Sequence, residues 1–162
     1  MHYDFDREIP RKGTRCTKWD NLTMRVSNPN ALPVWVADCD FTCPAPVVQA
    51  VQKRAAHPIY GYAFVPPEFG SVTADWLRRR HGFSCSPESI LFSPGVVPAL
   101  SLAVQAFTQP GDEVLIQTPV YHPFRNVVRA AGRIPNANPL LFDGERYTID
   151  FADLARRAAS PK

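Results

Sequence analysis

The sequence predicts an α/β fold built around a mainly parallel sheet. From about residue 83 onward, short apolar runs that suit buried strands alternate with longer segments that have helical spacing. Turn-forming residues such as Pro110-Gly111-Asp112 separate the two kinds of segment. Strands that alternate with helices usually pair in parallel, because each helix returns the chain to the same end of the sheet.

The first part of the chain has fewer signs of regular structure. Residues 1–33 are polar and rich in turns, so we expect an extended arm. The apolar run 32–37 predicts a strand or an extended segment, which ends at the acidic pair Asp38 and Asp40. Two helices follow, because proline favours a helix start and His81-Gly82 favours a helix end. These helices are predicted at 44–56 and 68–80.

The second part of the chain carries the alternating pattern. Its strands are short and rich in branched apolar residues, and the last of them is the weakest. The predicted strands are 90–92, 113–117 and 134–141. The first of the helices that alternate with them has many small and branched apolar residues, and Gly132 closes the second helix. The predicted helices are 94–107, 121–131 and 150–159.

Composition and charge narrow the functional classes. The 162 residues are 45% apolar and 20% charged, which suits a globular domain. The net charge of +3 is spread along the chain, so we expect no nucleic-acid partner. The N-terminus lacks the apolar core of a signal peptide, and no apolar run is long enough for a membrane span. We therefore expect a cytoplasmic protein without a membrane partner.

The cysteines and the acidic pair do not indicate a metal site. The four cysteines form no Cys-x-x-Cys pair and no histidine cluster accompanies them, which argues against a zinc site or a disulfide framework. Asp38 and Asp40 could bind a metal ion. Two carboxylates without a histidine more often cap a helix or a turn, and we expect that here.

Two predicted strand ends offer places for a ligand. Ser93-Pro94-Gly95-Val96-Val97 leads from a strand into a helix, where unpaired amides and the helix dipole favour an anion such as phosphate. The turn alone is a weak signal, since many such turns bind nothing. Thr118-Pro119-Val120-Tyr121 follows the next strand, at the sheet edge where ligands gather. The Tyr121 ring could stack on a flat cofactor or could cover the core.

A loop with two tyrosines is the third candidate. In Tyr60-Gly61-Tyr62, glycine allows a sharp turn that presents two hydroxyl groups. Taken alone, the same residues suit a surface loop with partly buried rings.

The motifs are more specific together than singly. KWD at 18–20, VWVADCDF at 34–41, IYGY at 59–62, SPGVVPAL at 93–100 and PGDEVLIQTPVYHPF at 110–124 occur in this order. The series resembles the cystathionine β-lyase and C–S lyase branch of the fold-type-I enzymes that use pyridoxal 5'-phosphate (PLP), within the aminotransferase class I/II group. Cys39 stands where these enzymes commonly have methionine, another soft apolar side chain.

The resemblance implies an incomplete fold, the N-terminal part of the fold-type-I α/β architecture. Residues 1–45 would form an N-terminal arm and a segment of the small domain. Residues 46–162 would form the first part of the large PLP-binding domain, truncated before its end. In that fold the strand at 90–92 lies on the opposite side of the sheet from the next two, and the strands between them come from later in the chain.

The resemblance also implies roles for the candidate residues. The amides of Val96 and Val97 would hold the cofactor phosphate, with Gly95 allowing its close approach. The Tyr121 ring would stack on the pyridine ring of PLP.

Two further residues would serve the substrate and the partner subunit. The backbone at Ala37 would receive the substrate carboxylate. Tyr62 would reach across a homodimer interface to the partner's cofactor phosphate.

The implied activity of the parent enzyme is α,β-elimination from cystathionine or a cysteine-type amino acid to pyruvate, ammonia and a thiol. PLP catalysis needs a lysine that forms a Schiff base with the cofactor. In this family that lysine lies C-terminal to the region present here. The lysines of the chain lie at 12, 18, 53 and 162, and none follows a strand in a glycine- or serine-flanked loop. We therefore expect no catalytic residue in these 162 residues and no activity from them alone.

Three alternatives stay open. A PLP-dependent aminotransferase of the same fold would share every motif. A truncated, inactive homologue would act at most as an interaction fragment. A small nucleotide-binding domain that uses the turn at 93–97 is the third, although no G-x-G-x-x-G or Walker sequence supports it.

Overall fold

The computed structural model describes residues 3–28 and 30–159 and divides into two compact units. The units are Met1–Ala63 and Phe64–Lys162. This division falls eighteen residues after the domain boundary predicted at 45/46, and the assignment of the two predicted domains stays a prediction. Within the described part of the chain, no helix combines the length and apolar character that a membrane span requires.

The first unit is mostly irregular, as the sequence predicts. Its regular elements are helix α1 (Thr17–Asp20), a 3-10 turn (Leu22–Met24) and helix α2 (Ala45–Ala55). The segment 32–37 bends at Trp35 and Val36 and pairs with no strand among the described residues, so the predicted strand is absent. Side-chain contacts hold it instead: the Trp35 indole donates to the Lys18 carbonyl at 3.1 Å and lies under the Arg25 guanidinium.

Four ionic side chains organise the first unit. The Arg11 guanidinium donates to both carboxylate oxygens of Asp38, at 3.1 and 2.6 Å, and to Asp40 Oδ1 at 2.6 Å. Lys18 Nζ donates to Asp40 Oδ2 at 2.5 Å, and the Trp19 indole donates to Asp40 Oδ1 at 3.0 Å. We call Arg11, Lys18, Asp38 and Asp40 the ionic cluster. It ties the segment before α1 to the segment before α2.

The ionic cluster changes the acidity of its members. The pKa of Asp40 lies well below its ordinary value because Lys18, Trp19 and Arg11 all donate to its carboxylate. The pKa of Asp38 is lowered chiefly by the hydrogen bonds from Arg11. The same contacts raise the pKa of Lys18, mainly through Asp40. All four groups are therefore charged over the neutral range.

The second unit contains the remaining elements. Its helices are α3 (Pro67–His81), α4 (Val96–Phe107), α5 (Pro123–Ala130) and α6 (Phe151–Ala158), with a 3-10 turn at Pro87–Ser89. Its strands are β1 (Glu113–Thr118), β2 (Ile134–Pro139), β3 (Leu141–Phe142) and β4 (Tyr147–Thr148). Helix α3 ends where predicted because Gly82 adopts a left-handed conformation, with φ of 65°.

A parallel pair of strands forms the centre of this unit. Strands β1 and β2 pair in register from Glu113 opposite Ile134 to Thr118 opposite Pro139, and α5 connects them. Two of the few buried apolar side chains lie here: Val128 of α5 is 2% exposed and Ile116 of β1 is 8% exposed. The predicted βαβ unit is therefore present.

Polar side chains fasten α6 to β2. Asn138, fully buried on β2, donates to Asp153 Oδ2 at 2.8 Å, and Arg157 donates to the same carboxylate oxygen at 2.6 Å. Arg157 also donates to Asn136 Oδ1 at 2.7 Å. Asp150 caps α6 through a 2.9 Å bond from the Asp153 amide, which explains why the helix begins there. The Asn138 Oδ1 atom accepts no hydrogen bond from the described residues.

Two strand predictions are wrong in part. Residues 90–92 form no strand, because no strand among the described residues pairs with them. Leu91 is 89% exposed. The predicted strand 134–141 ends earlier, at Pro139. Leu141–Phe142 instead pairs antiparallel with Tyr147–Thr148 around the turn at Asp143-Gly144.

The second unit leaves large apolar surfaces in water. Helix α4 is composed almost wholly of apolar residues, yet none of its side chains is buried, and Phe107 is 87% exposed. Among the described residues, β1 and β2 pair only with each other, so each has one open edge. These features agree with the expectation that neighbouring strands are supplied by residues other than these.

We predict that residues 1–162 alone are insoluble, molten or dependent on a partner. Each apolar side chain left in water forgoes about 1.5–3 kcal/mol of burial, against a net stability of about 5–15 kcal/mol for a whole domain. The open edges of β1 and β2 also favour aggregation. Thermal unfolding of the purified chain, together with an amide NMR spectrum, tests this. A soluble monomer with a sharp two-state transition and dispersed signals would contradict it.

Acid should break the ionic cluster only below the ordinary pKa of an aspartate. An aspartate whose pKa is lowered by folding stabilises the fold above its ordinary pKa of about 3.9, and this contribution is lost as the pH falls through the lowered value. In the whole protein that contains these residues, the Trp19 indole N–H resonance should therefore stay constant from pH 7 to about pH 4 and move only below. The Asp40→Ala variant should shift that resonance at pH 7 and abolish its acid transition. A midpoint at or above the ordinary aspartate pKa would contradict the ion pairing.

Candidate functional site

The start of α4 exposes two backbone amides. Val96 and Val97 occupy the first two helical positions, so their N–H groups have no intrahelical acceptor. The next residue, Pro98, has no N–H at all, and no side chain caps the helix. The first helical hydrogen bond is the one from Ala99 N to Gly95 O, at 3.1 Å. Two adjacent donors at the positive end of a twelve-residue helix suit a phosphate group.

Gly95 sets the geometry of this turn. Its φ of 145° lies in the region that side chains with a Cβ rarely adopt, which explains the glycine. Space is not the reason, because a Cβ at Gly95 would lie 3.5 Å from Pro98 Cδ, an ordinary contact. The Ser93 hydroxyl donates to the Gly95 carbonyl at 3.0 Å and so helps to fix the turn. The helix begins at Val96, two residues later than the predicted start at Pro94.

Tyr121 lies in the turn between β1 and α5. Its ring is 60% exposed and meets the rings of His122 and Phe124 edge-on, with centroid distances of 5.1 and 6.3 Å. The alternative in which this ring covers the core does not hold at that exposure. An exposed ring at the carboxyl end of a parallel strand suits stacking on a flat ligand. Helix α4 packs against α5, so the exposed amides and this ring belong to one unit.

These residues fit a ligand that carries both a phosphate and a flat ring. Val96 and Val97 could donate to the phosphate, Gly95 leaves the approach to them open, and Tyr121 could cover the ring. None of these groups needs to break an existing hydrogen bond of its side chain to do so.

The other two predicted residues belong to the first unit. Ala37 is exposed and directly precedes the ionic cluster. Tyr62 is fully exposed, whereas the neighbouring Tyr60 hydroxyl donates to the Ala55 carbonyl at 2.5 Å. Tyr60 therefore anchors the loop, and Tyr62 is left to contact something else. The roles of Ala37 and Tyr62 stay predictions.

The prediction that Asp38 and Asp40 cap a helix or a turn is wrong. Asp38 and Asp40 instead accept from Arg11, Lys18 and Trp19. In residues 3–28 and 30–159, no three His, Cys, Asp or Glu side chains are grouped so as to hold a metal ion. The part played by Arg11 was missed, and only the nearby KWD motif at 18–20 gave a signal for the cluster.

Comparison with known proteins places the chain in a family. The family model "Aminotransferase class I and II" matches residues 36–162. Cystathionine beta-lyase PatB of Bacillus subtilis (strain 168) is 45% identical over 158 residues, which are 98% of this chain and 41% of that protein.

Solved structures agree. The C–S lyase of Staphylococcus hominis, solved with PLP bound, matches with a TM-score of 0.88 and 29% identity over 99% of this chain and 41% of its own. Cystalysin of Treponema denticola, whose structure contains PLP, matches with a TM-score of 0.86 and 34% identity over 98% and 41%. The chain thus spans about 41% of the length of these relatives. The likeness confirms the predicted α/β class of the fold-type-I enzymes, and the chain belongs to the aminotransferase class I and II family.

Proposed function

We propose that the whole protein containing these residues is a PLP-dependent C–S β-lyase. It would convert cystathionine or a cysteine-type amino acid to pyruvate, ammonia and a thiol. The start of α4, with two exposed amides in the same unit as the Tyr121 ring, is the observation that carries the cofactor assignment. The C–S lyase and cystathionine beta-lyase identities of the relatives support the reaction.

The residues of this chain bind and orient the cofactor. The amides of Val96 and Val97 donate to its phosphate, and the dipole of α4 adds a favourable field. Tyr121 covers one face of its ring and limits rotation about the phosphate arm. PLP, when bound, supplies an electron sink for negative charge at the substrate α-carbon.

The first unit serves the substrate and the partner subunit in this proposal. The backbone at Ala37 binds the substrate carboxylate. The Tyr62 hydroxyl donates to the cofactor phosphate of the partner in a homodimer, which fits a side chain that is fully exposed here. A cytoplasmic location fits an enzyme of amino-acid metabolism.

The described lysines do not provide the group to which PLP is attached. Lys18 is 10% exposed and held by Asp38 and Asp40. Lys12 and Lys53 do not follow strands of the sheet, unlike the attachment lysine that the resemblance requires. In this proposal, proton transfer at the substrate α-carbon therefore depends on a lysine other than Lys12, Lys18 and Lys53. Residues 1–162 alone should be inactive.

An aminotransferase of the same fold is the second candidate. The matching family model supports it, since that model describes aminotransferases over residues 36–162. Both activities would use Val96, Val97 and Tyr121 in the same way. The products distinguish them: a lyase releases a thiol and pyruvate, whereas an aminotransferase leaves the carbon–sulfur bond intact. The third candidate is an inactive fragment that only binds another protein. The exposed apolar side chains of α4 are the one observation that favours it.

The third prediction is that the whole protein, incubated with PLP and L-cystathionine, releases pyruvate and a thiol in equal amounts. Pyruvate is followed with lactate dehydrogenase and the thiol with a chromogenic disulfide. Free PLP without protein is the control, and residues 1–162, where a soluble form is obtained, should give no more pyruvate than that control. In a parallel reaction with an added 2-oxo acid as the amino-group acceptor, keto acid formation from cystathionine without a thiol would favour the aminotransferase. Turnover by the 162 residues alone would show that the attachment lysine is misassigned.

The fourth prediction tests the ring stacking. In the whole protein, Tyr121→Ala should weaken PLP retention several-fold, since ring stacking contributes about 0.5–1.5 kcal/mol beyond buried area. Tyr121→Phe keeps the ring and is the control that should retain the cofactor. Retention is measured from the visible absorbance of bound PLP after dialysis. Equal retention by the Ala and Phe variants would exclude the stacking role.

A further inference from the structure

The cations of the ionic cluster bind backbone as well as carboxylates. Lys18 Nζ donates to the Asp38 carbonyl at 3.2 Å, and Arg11 Nη1 donates to the Cys39 carbonyl at 3.3 Å. Asp38 and Asp40, which flank Cys39, are held by the same two cations through their side chains. Two successive carbonyls and two side chains are thus fixed immediately after Ala37. The conformation of the backbone at Ala37 therefore depends on Arg11 and Lys18.

Arg11 and Lys18 also offset the negative charges of Asp38 and Asp40. A carboxylate docked at Ala37 would stand next to Asp38 and three residues from Asp40, and like charges at such short range repel. Arg11 and Lys18 supply two positive charges against these two negative ones. Their side chains are only 20% and 10% exposed, so water screens the pairs less than it would on an open surface. The cluster as a whole is neutral.

We propose that Arg11 and Lys18 are positioning residues for the substrate. They hold the backbone at Ala37 in the shape that receives the substrate carboxylate, and they cancel the charges of Asp38 and Asp40 that would otherwise repel it. This inference rests on the proposed function, because it needs Ala37 to be the carboxylate site. It assigns a role to two residues that contact neither the cofactor phosphate nor its ring in the proposed site.

The test compares substitutions within the cluster in the whole protein loaded with PLP. Arg11→Gln removes the bidentate contact to Asp38, and Lys18→Met removes the ammonium that bonds Asp40. Each should raise KM for L-cystathionine by on the order of tenfold, the effect of losing a charged hydrogen bond, with kcat changed less than about twofold. PLP retention should be unchanged.

Two further variants separate positioning from general loss of structure. Lys18→Arg keeps the charge, so its KM should stay much closer to that of the unsubstituted protein than the KM of Lys18→Met. Arg78→Gln breaks an ion pair of the same length, 2.6 Å, with Asp75 on α3, outside the cluster and more exposed, and should leave KM unaltered. Amide hydrogen exchange in peptides covering residues 37–40 gives a readout without substrate. Exchange there should speed up in Arg11→Gln and stay the same in Arg78→Gln.

The outcomes separate the two hypotheses. If the unsubstituted protein releases no pyruvate, the proposed function fails and this inference fails with it. If that protein is active and Arg11→Gln leaves KM unchanged, the inference alone is overturned. A fall in kcat and PLP retention with KM unchanged would also overturn it, because it would mean that the cluster acts on the cofactor or the fold.

Discussion

The parallel pairing of β1 with β2 is the interaction on which the second unit depends. Helix α5 crosses between the two strands and buries Val128 against them. Helix α6 is fastened to β2 through Asn138 and Asp153. Because the strands are parallel, their carboxyl ends lie at one edge, and the turn that carries Tyr121 begins there. A single ladder of six residue pairs thus decides where the aromatic part of the candidate site lies.

Ion pairs link distant segments of the first unit, in which no strand pairing is present among the described residues. Arg11 and Lys18 bridge segments that are more than twenty residues apart in sequence, and Trp19 and Trp35 add indole hydrogen bonds to the same region. An irregular segment stabilised in this way keeps a defined backbone shape only while its ion pairs persist. The ion pairs thus give the irregular segment that follows Ala37 a defined conformation.

Local signals made most elements predictable. Proline marks the start of both α2 and α3, and Gly82 marks the end of α3. The positive φ of Gly95 suits the phosphate turn predicted from Ser93-Pro94-Gly95. The prediction of a strand at 90–92 failed because a strand forms only when another strand pairs with it. The apolar character of these residues does not reveal whether such a partner is present. Arg11 was not predictable either. The two carboxylates that it binds lie 27 and 29 residues away, and no local pattern encodes such a contact.

A crystal structure of the whole protein grown with PLP would show whether the start of α4 and the ring of Tyr121 bind the cofactor together. We expect the cofactor phosphate to accept hydrogen bonds from the amides of Val96 and Val97, with the Tyr121 ring stacked on the pyridine ring. A phosphate bound elsewhere, with these two amides facing only water, would contradict it.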